Sequence, residues 1–323
     1  MNRRARASAW AMALIGALGT MGCATHGHHA DATPKGGIGA DVPIAARNLP
    51  VIDGQTGGWL GWEGLMGRIA GADVVVVGEV HGHPVGGAAS VALVEDLVAQ
   101  GSGRVAVSLE FFDRDTQADV DDYLCGIADE KAFRDRTRRA EGNYPEAHRA
   151  MVEVARVAGR PVIASNAPRR YATVARREGY DRLRGLAEVQ RRLFVVPDGM
   201  TEGPYRDRFF GLMAGMGASH GGPSDAEPDP AAEAAMIEGF FRAQCLWDAT
   251  MAASIVEAVA RGASPVVHIV GQFHSDFDGG LVQRVHAAAP GARVVTVSLV
   301  DAAVWNEKDR GRADVVVLIG KRE

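Results

Sequence analysis

Two short stretches carry the same pattern. Gly78-Glu79-Val80-His81 and Gly271-Gln272-Phe273-His274 both read G-x-x-H. Each ends an apolar run: four valines at 74–77 lead into the first, and PVVHIVG at 265–271 supplies the glycine of the second. Imidazoles and a carboxylate in such places are the groups that general acid–base chemistry needs, and equally a ligand set for a divalent transition metal. Glu110 closes a further apolar run, RVAVSLE (104–110), and Asn166 closes PVIASN (161–166). One G-x-x-H is a weak signal; two at strand ends with a glutamate between them are more specific. The candidate acid–base set is Glu79, His81, Glu110 and His274, and the candidate metal ligands are His81, Glu110 and His274. The plainer reading of the same residues is a pair of polar loops with solvated histidines. His268 lies inside its run and reads as a core histidine.

These positions must be held by strands. Short β-branched runs bounded by glycine are the signature of strands buried on both faces of a parallel sheet. Six such runs occur, at 74–77, 104–110, 161–166, 265–271, 292–300 and 314–320. Helical spacing fills the intervals at 86–100, 115–124 and 146–157. Strands alternating with helices predict an α/β fold, a mostly parallel central sheet with helices on both faces. In such sheets ligands sit beyond the carboxyl ends of the strands, so Glu79, His81, Glu110, Asn166 and His274 are expected to converge on one edge. The rhythm breaks at about 168–261, where helical segments at 169–177, 181–193 and 231–260 flank the polar loop HGGPSDAEPDP (220–230). This predicts a large helical insert acting as a lid or subdomain.

The 323 residues suffice for one large domain, 47% are apolar and only 6% aromatic, and the formal charge of −5 argues against a nucleic-acid partner. At the N-terminus Arg3, Arg4 and Arg6 precede an uncharged apolar stretch that ends at Gly22-Cys23, the pattern of a signal peptide over residues 1–22. Thr20, Met21 and Gly22 form a loose lipoprotein box, so Cys23 is the expected lipidation site. Residues 23–49 read as a flexible tether in which His26, His28 and His29 could catch a metal, and the folded domain is expected over 50–323. Cys125 and Cys245 stand either as a disulfide of an exported chain or as two buried thiols.

The stretches GEVHGHP, SLEFFDRDTQADVDDYLCG and GRPVIASNAPRR, followed by PYRDRF, AQCLWDATMA and GQFH, resemble in order and spacing the ChaN family of haem-binding lipoproteins, a branch of the Tiki superfamily. The resemblance runs over residues 74–280. It implies export, surface anchoring, haem as the bound cofactor and a role in haem or iron uptake. It also implies a tyrosine ligand from the helical insert, an oxygen donor suited to ferric iron, and a haem-bridged homodimer as one assembly. Tyr205, in GPYRDRF, is the first choice, with Tyr171 and Tyr180 as the others. Arg206 and Arg208 beside it could meet the propionates and favour the ionised phenol. Met213 and Met216 could supply apolar contact, and His220 is a further candidate ligand. The wider superfamily includes metal-dependent hydrolases and proteases built on paired G-x-x-H motifs plus a glutamate, which is the alternative activity. Phe273 departs from the family pattern, where a small residue is usual, and a bulky ring there would narrow the site. The expected location is exported and membrane-anchored, in the outer membrane or on a periplasmic face.

Replacing Cys23 by alanine should move the protein out of the membrane fraction, because stable anchoring needs more than one acyl chain and that cysteine is their attachment point. A Cys23→Ala protein that stays with membranes after a high-salt wash contradicts the assignment.

Overall fold

A computed structural model describes residues 45–100, 104–220 and 230–320, with side chains placed to residue 214 in the second stretch. Cys23, the tether histidines and the side chains of Met216 and His220 lie outside the described residues. The centre is a seven-stranded sheet: β1 (Val51–Asp53), β2 (Val74–Glu79), β3 (Ala106–Asp113), β4 (Val162–Asn166), β5 (Val266–Gly271), β6 (Val294–Val300) and β7 (Val315–Leu318). Their order is β1-β7-β6-β2-β5-β3-β4. All neighbours are parallel except β1, which runs antiparallel to β7. The six runs identified from the sequence are all strands. The three-residue β1 was missed because it is too short to show a period; it is fixed by pairing Val51, Ile52 and Asp53 with Val317, Val316 and Val315.

β2 explains why an unbroken valine run is stable here. Alternate side chains of a strand point to opposite faces. Val75 and Val77 enter a core shared with Leu93 and Val94 of the helix Pro84–Gln100, and with Met151 and Val152 of the helix Glu146–Val157. Val74 and Val76 enter a second core, with Met251 and Ile255 of the long helix Pro230–Ala260 and with Leu281 and Val285 of the helix Gly280–Ala288. Both faces are thus covered, and all six β2 residues are buried.

Between β4 and β5 the described residues form helices and their connections, including Arg169–Glu178, Tyr180–Arg184, Glu188–Arg191 and Pro204–His220. The single helix expected over 181–193 is two short ones, because the Gly185-Leu186-Ala187 segment turns between them. The final helix of this region, Pro230–Ala260, is not detached from the sheet: Met251, Ala252, Ile255 and Ala258 belong to the same apolar cluster as β2, β3 and β5 side chains. At the other end of the domain Ala46 is already buried, and Arg47 meets Asp96 at 2.7 Å and Glu95 at 3.0 Å, so residues 45–49 pack on the domain. No described helix is long and apolar enough to cross a membrane. Cys125 is exposed and Cys245 buried, and no disulfide joins them.

Phe112 follows Phe111 at the end of β3 and is fully buried against Phe133 and Tyr144, with ring centroids 5.6 and 6.2 Å away. Phe112→Ala should cost about 3–5 kcal/mol through lost burial and the cavity left behind. Urea unfolding measures it; a loss under about 1 kcal/mol would mean the aromatic cluster collapses into the gap.

Candidate functional site

β2, β5 and β3 lie side by side and parallel, so their carboxyl ends open on one edge. Glu79 ends β2, Gly271 ends β5, and Glu110 directly follows Leu109, the last β3 residue paired with β5. The sheet therefore brings Glu79, His81, Glu110 and His274 to one place. The Glu110 carboxylate accepts the Gly271 N–H at 2.6 Å and stands 3.6 Å from His274 Nε2. A methyl group on Gly271 would come 2.7 Å from His81 Nε2 and 3.5 Å from Glu110 Oε2. The missing side chain leaves a space that the His81 ring and the Glu110 carboxylate share. Asn166 takes another course, its Oδ1 accepting the backbone N–H of Ala167 at 2.9 Å.

Each imidazole is tied to a carboxylate of its own. His81 Nδ1 lies 3.0 Å from Glu79 Oε1, and the same oxygen takes His148 Nε2 at 3.0 Å. His148 stacks flat on Phe111, with ring centroids 3.8 Å apart. Burial opposes a charge on Glu79, but hydrogen bonds from His148 and His81 outweigh it and hold its carboxyl down at about 2. The hydrogen bond to Glu79 raises the pKa of His81 in turn. Since Glu79 is an ionised acceptor, neutral His81 carries its proton on Nδ1 and turns the Nε2 lone pair toward Gly271. The His81 side chain remains 65% exposed, at the mouth of the site.

His274 is built the same way from other parts. Its Nδ1 is 2.6 Å from Oδ1 of Asp248, a fully buried carboxylate in the middle of the long helix. Burial disfavours an imidazolium there, yet Asp248 and Glu110 overcome it and push the His274 pKa up to about 8. At neutral pH His274 is therefore mostly charged. His81 as lone-pair donor, His274 as proton donor and Glu110 between them form a set able to take a proton from one atom and deliver one to another.

Sequence reasoning singled out neither Asp248 nor His148. Asp248 had a signal: an aspartate in the apolar helical run CLWDATMA has to be paired if it faces inward. His148 had none, since a single histidine on an amphipathic helix does not announce its partner. Beside Glu79 a cavity of about 290 Å3 opens, lined by Val80, His83, Pro84, Pro145 and His148. His268 is a fully buried core histidine held by Ser108 at 2.9 Å, and burial keeps its pKa down at about 3.

The haem-ligand expectation meets a different arrangement. Tyr205 is fully buried, and its hydroxyl donates to Asp248 Oδ2 at 2.8 Å. Burial first, and then the Asp248 charge, push its pKa well above the ordinary phenol value, so the expected ionised phenol does not hold. The two arginines are engaged elsewhere: Arg206 pairs with Glu238 at 3.4 Å and lies over Phe210, while Arg208 caps the carbonyls of Asp276 and Phe277 at 2.7 and 3.3 Å. Tyr171 is buried, and the half-buried Tyr180 donates to the Arg242 carbonyl at 2.8 Å. Phe273 packs on Tyr205 and Phe209, with centroids 5.3 and 5.8 Å away, within the aromatic layer of the helices. Among the described residues no three His, Cys, Asp or Glu side chains stand so that they could hold a metal ion. His81, Glu110 and His274 converge, with Nδ1 of each ring held by a carboxylate and Nε2 left on the side of the shared space.

Residues 65–285, more than half of the chain, match the family model described as haem-binding uptake, Tiki superfamily, ChaN. The chain belongs to this family. Among solved structures it is similar to ChaN of Campylobacter jejuni, described for cofacial haem binding, at 16% identity and a TM-score of 0.63, over 84% of this chain and 97% of that one. This likeness shows a shared fold. A type III effector (14% identity, TM-score 0.44, over 86% and 99% of the two chains) and a Bacillus cereus protein (13%, 0.42, over 80% and 74%) are more distant. No curated protein matches the chain.

The raised pKa of His274 stabilises the folded state fully below the unfolded value near 6.5 and ceases to do so as pH rises through about 8. A pH series of urea unfolding should show a loss on the order of 2 kcal/mol across that window, absent in His274→Gln. The same loss in the variant would assign it to another group. The depressed pKa of Glu79 acts oppositely: its contribution is present above about 4.5 and is lost as pH falls toward 2.

Proposed function

We propose that this protein binds haem and serves haem or iron uptake as an exported lipoprotein anchored through Cys23, facing the periplasm or on the outer membrane. The observation that carries the reading is membership of the haem-binding uptake family over residues 65–285. The haem of the Campylobacter relative is consistent with it. The basic start and apolar run before Cys23 support export and anchoring. A haem-bridged homodimer is the assembly this reading expects. The iron ligand is not one of the phenols as they stand, because the hydroxyls of Tyr180 and Tyr205 are already hydrogen-bonded and Tyr171 is buried. Ligation by any of these three requires the helices between β4 and β5 to rearrange.

A second reading is favoured by one observation, the pairing of His81 with Glu79 and of His274 with Asp248 around Glu110. This supports hydrolysis by imidazole and carboxylate. His81 would take a proton from water, His274 would give one to the leaving group, and Glu110 would hold the charge between them. In the metal-dependent form of this reading His81 and His274, each held through Nδ1 by its carboxylate, would offer Nε2 with Glu110 to a divalent ion, which would lower the pKa of the water.

Ferric haem titration followed by visible absorption tests the first reading. A saturable Soret shift is expected, with sedimentation showing dimer only when haem is present. Absence of binding by the full chain removes it. The second reading predicts at least a 100-fold loss of hydrolysis of a broad ester or amide panel in His81→Ala. Turnover that persists in that variant would remove His81 as the base.

A further inference from the structure

Tyr205 offers a third observation beyond its burial and its bond to Asp248. Gln244 Nε2 donates to the Tyr205 hydroxyl at 3.1 Å and also lies 3.2 Å from His274 Nδ1. The phenol, the amide and the carboxylate form one buried group behind His274. A carboxylate that binds an imidazole through one oxygen can rotate unless its other oxygen is held. Oδ2 of Asp248 is held by Tyr205, which leaves Oδ1 for the ring at 2.6 Å. Gly280 closes the fit: a methyl group there would come 2.4 Å from Asp248 Oδ2 and 2.5 Å from Tyr205 Cε1. The first dyad also has an outer partner, but there His148 and His81 share one oxygen, Oε1 of Glu79, at 3.0 Å each. Such outer partners fix the tautomer and orientation of a working imidazole.

We propose that Tyr205 is a positioning residue: through Asp248 it holds His274 with Nδ1–H inward and Nε2 turned to Glu110 and to the space over Gly271. The assignment rests on the acid–base reading of the site for its purpose, but not for its test. The helix Pro204–His220 thereby becomes part of the site without touching a substrate. Its other tie, Arg208 on the carbonyls of Asp276 and Phe277, anchors it to the turn that follows His274.

The experiment uses the full chain and proton NMR of the histidine ring N–H groups. A hydrogen bond as short as that between His274 Nδ1 and Asp248 shifts its proton far downfield, and loss of that signal in His274→Gln assigns it. In Tyr205→Phe, which keeps the ring and removes the hydroxyl, the His274 signal should move upfield or broaden away. The His81 ring signal, held by Glu79, should stay. Gly280→Ala, which pushes the pair apart while leaving both residues in place, should act on the same signal and serves if Tyr205→Phe folds poorly. Ferric haem added to Tyr205→Phe should give the wild-type spectrum. An unmoved His274 signal in a folded Tyr205→Phe, or no such signal in wild type, overturns the proposal. Loss of a ferric-haem band in Tyr205→Phe overturns it too, and makes Tyr205 an iron ligand. If the wild type binds no haem, the haem reading fails alone and the ring signals still decide.

Discussion

A carboxylate buried away from water must be given hydrogen-bond donors, and much of this molecule is arranged around two of them. Glu79 is 5% exposed and Asp248 fully buried. An unpaired charge at either place would cost several kcal/mol. Each is supplied with two donors drawn from different elements: His81 and His148 for Glu79, His274 and Tyr205 for Asp248. What answers the demand of burial also orients the imidazoles, since a ring that donates through Nδ1 has only Nε2 left for other work. Stability and site geometry are in this sense the same set of bonds.

The topology makes those bonds feasible. β2 and β5 are far apart in the chain and adjacent in the sheet, with β3 next to β5, so three strand ends from distant segments meet. The long helix does the rest. Its second half lies on the sheet through Met251, Ala252 and Ile255, and its first half carries Ile237 and Phe241 into an aromatic layer with Tyr205, Phe209 and Phe273. Asp248 falls at the junction, where one carboxylate can reach a sheet-edge histidine and a tyrosine of a neighbouring helix. The helices between β4 and β5 are therefore continuous with the site.

The sheet was legible because its strands are buried on both faces and written as plain β-branched runs; convergence of Glu79, His81, Glu110 and His274 followed from parallel strands sharing one edge. β1 was not legible, being three residues whose identity as a strand comes from β7. The partners of the histidines were illegible for a similar reason. His148 and Asp248 are defined by what faces them across the core, a relation with no local period. Tyr205 was conspicuous in the sequence but misleading, because Arg206 and Arg208 beside it in the chain point away from its oxygen, to Glu238 and to the carbonyls of Asp276 and Phe277. On a helix, adjacent residues do not share a face.

That reversal bears on how one chain could bind haem and also keep an acid–base site. For Tyr205 to ligate iron, its hydroxyl must lose its proton and leave Asp248. Burial and the Asp248 charge both oppose the first step, as its strongly raised pKa records. The second would free one oxygen of the carboxylate that holds His274. A haem ligated there would therefore disturb the very bond that keeps His274 charged, and an intact His274–Asp248–Tyr205 chain would resist ligation. With Tyr205 as the ligand, the two proposed activities would compete for one hydroxyl. A ligand from any other residue would leave the chain undisturbed, and haem binding and the paired imidazoles could then coexist in the same molecule.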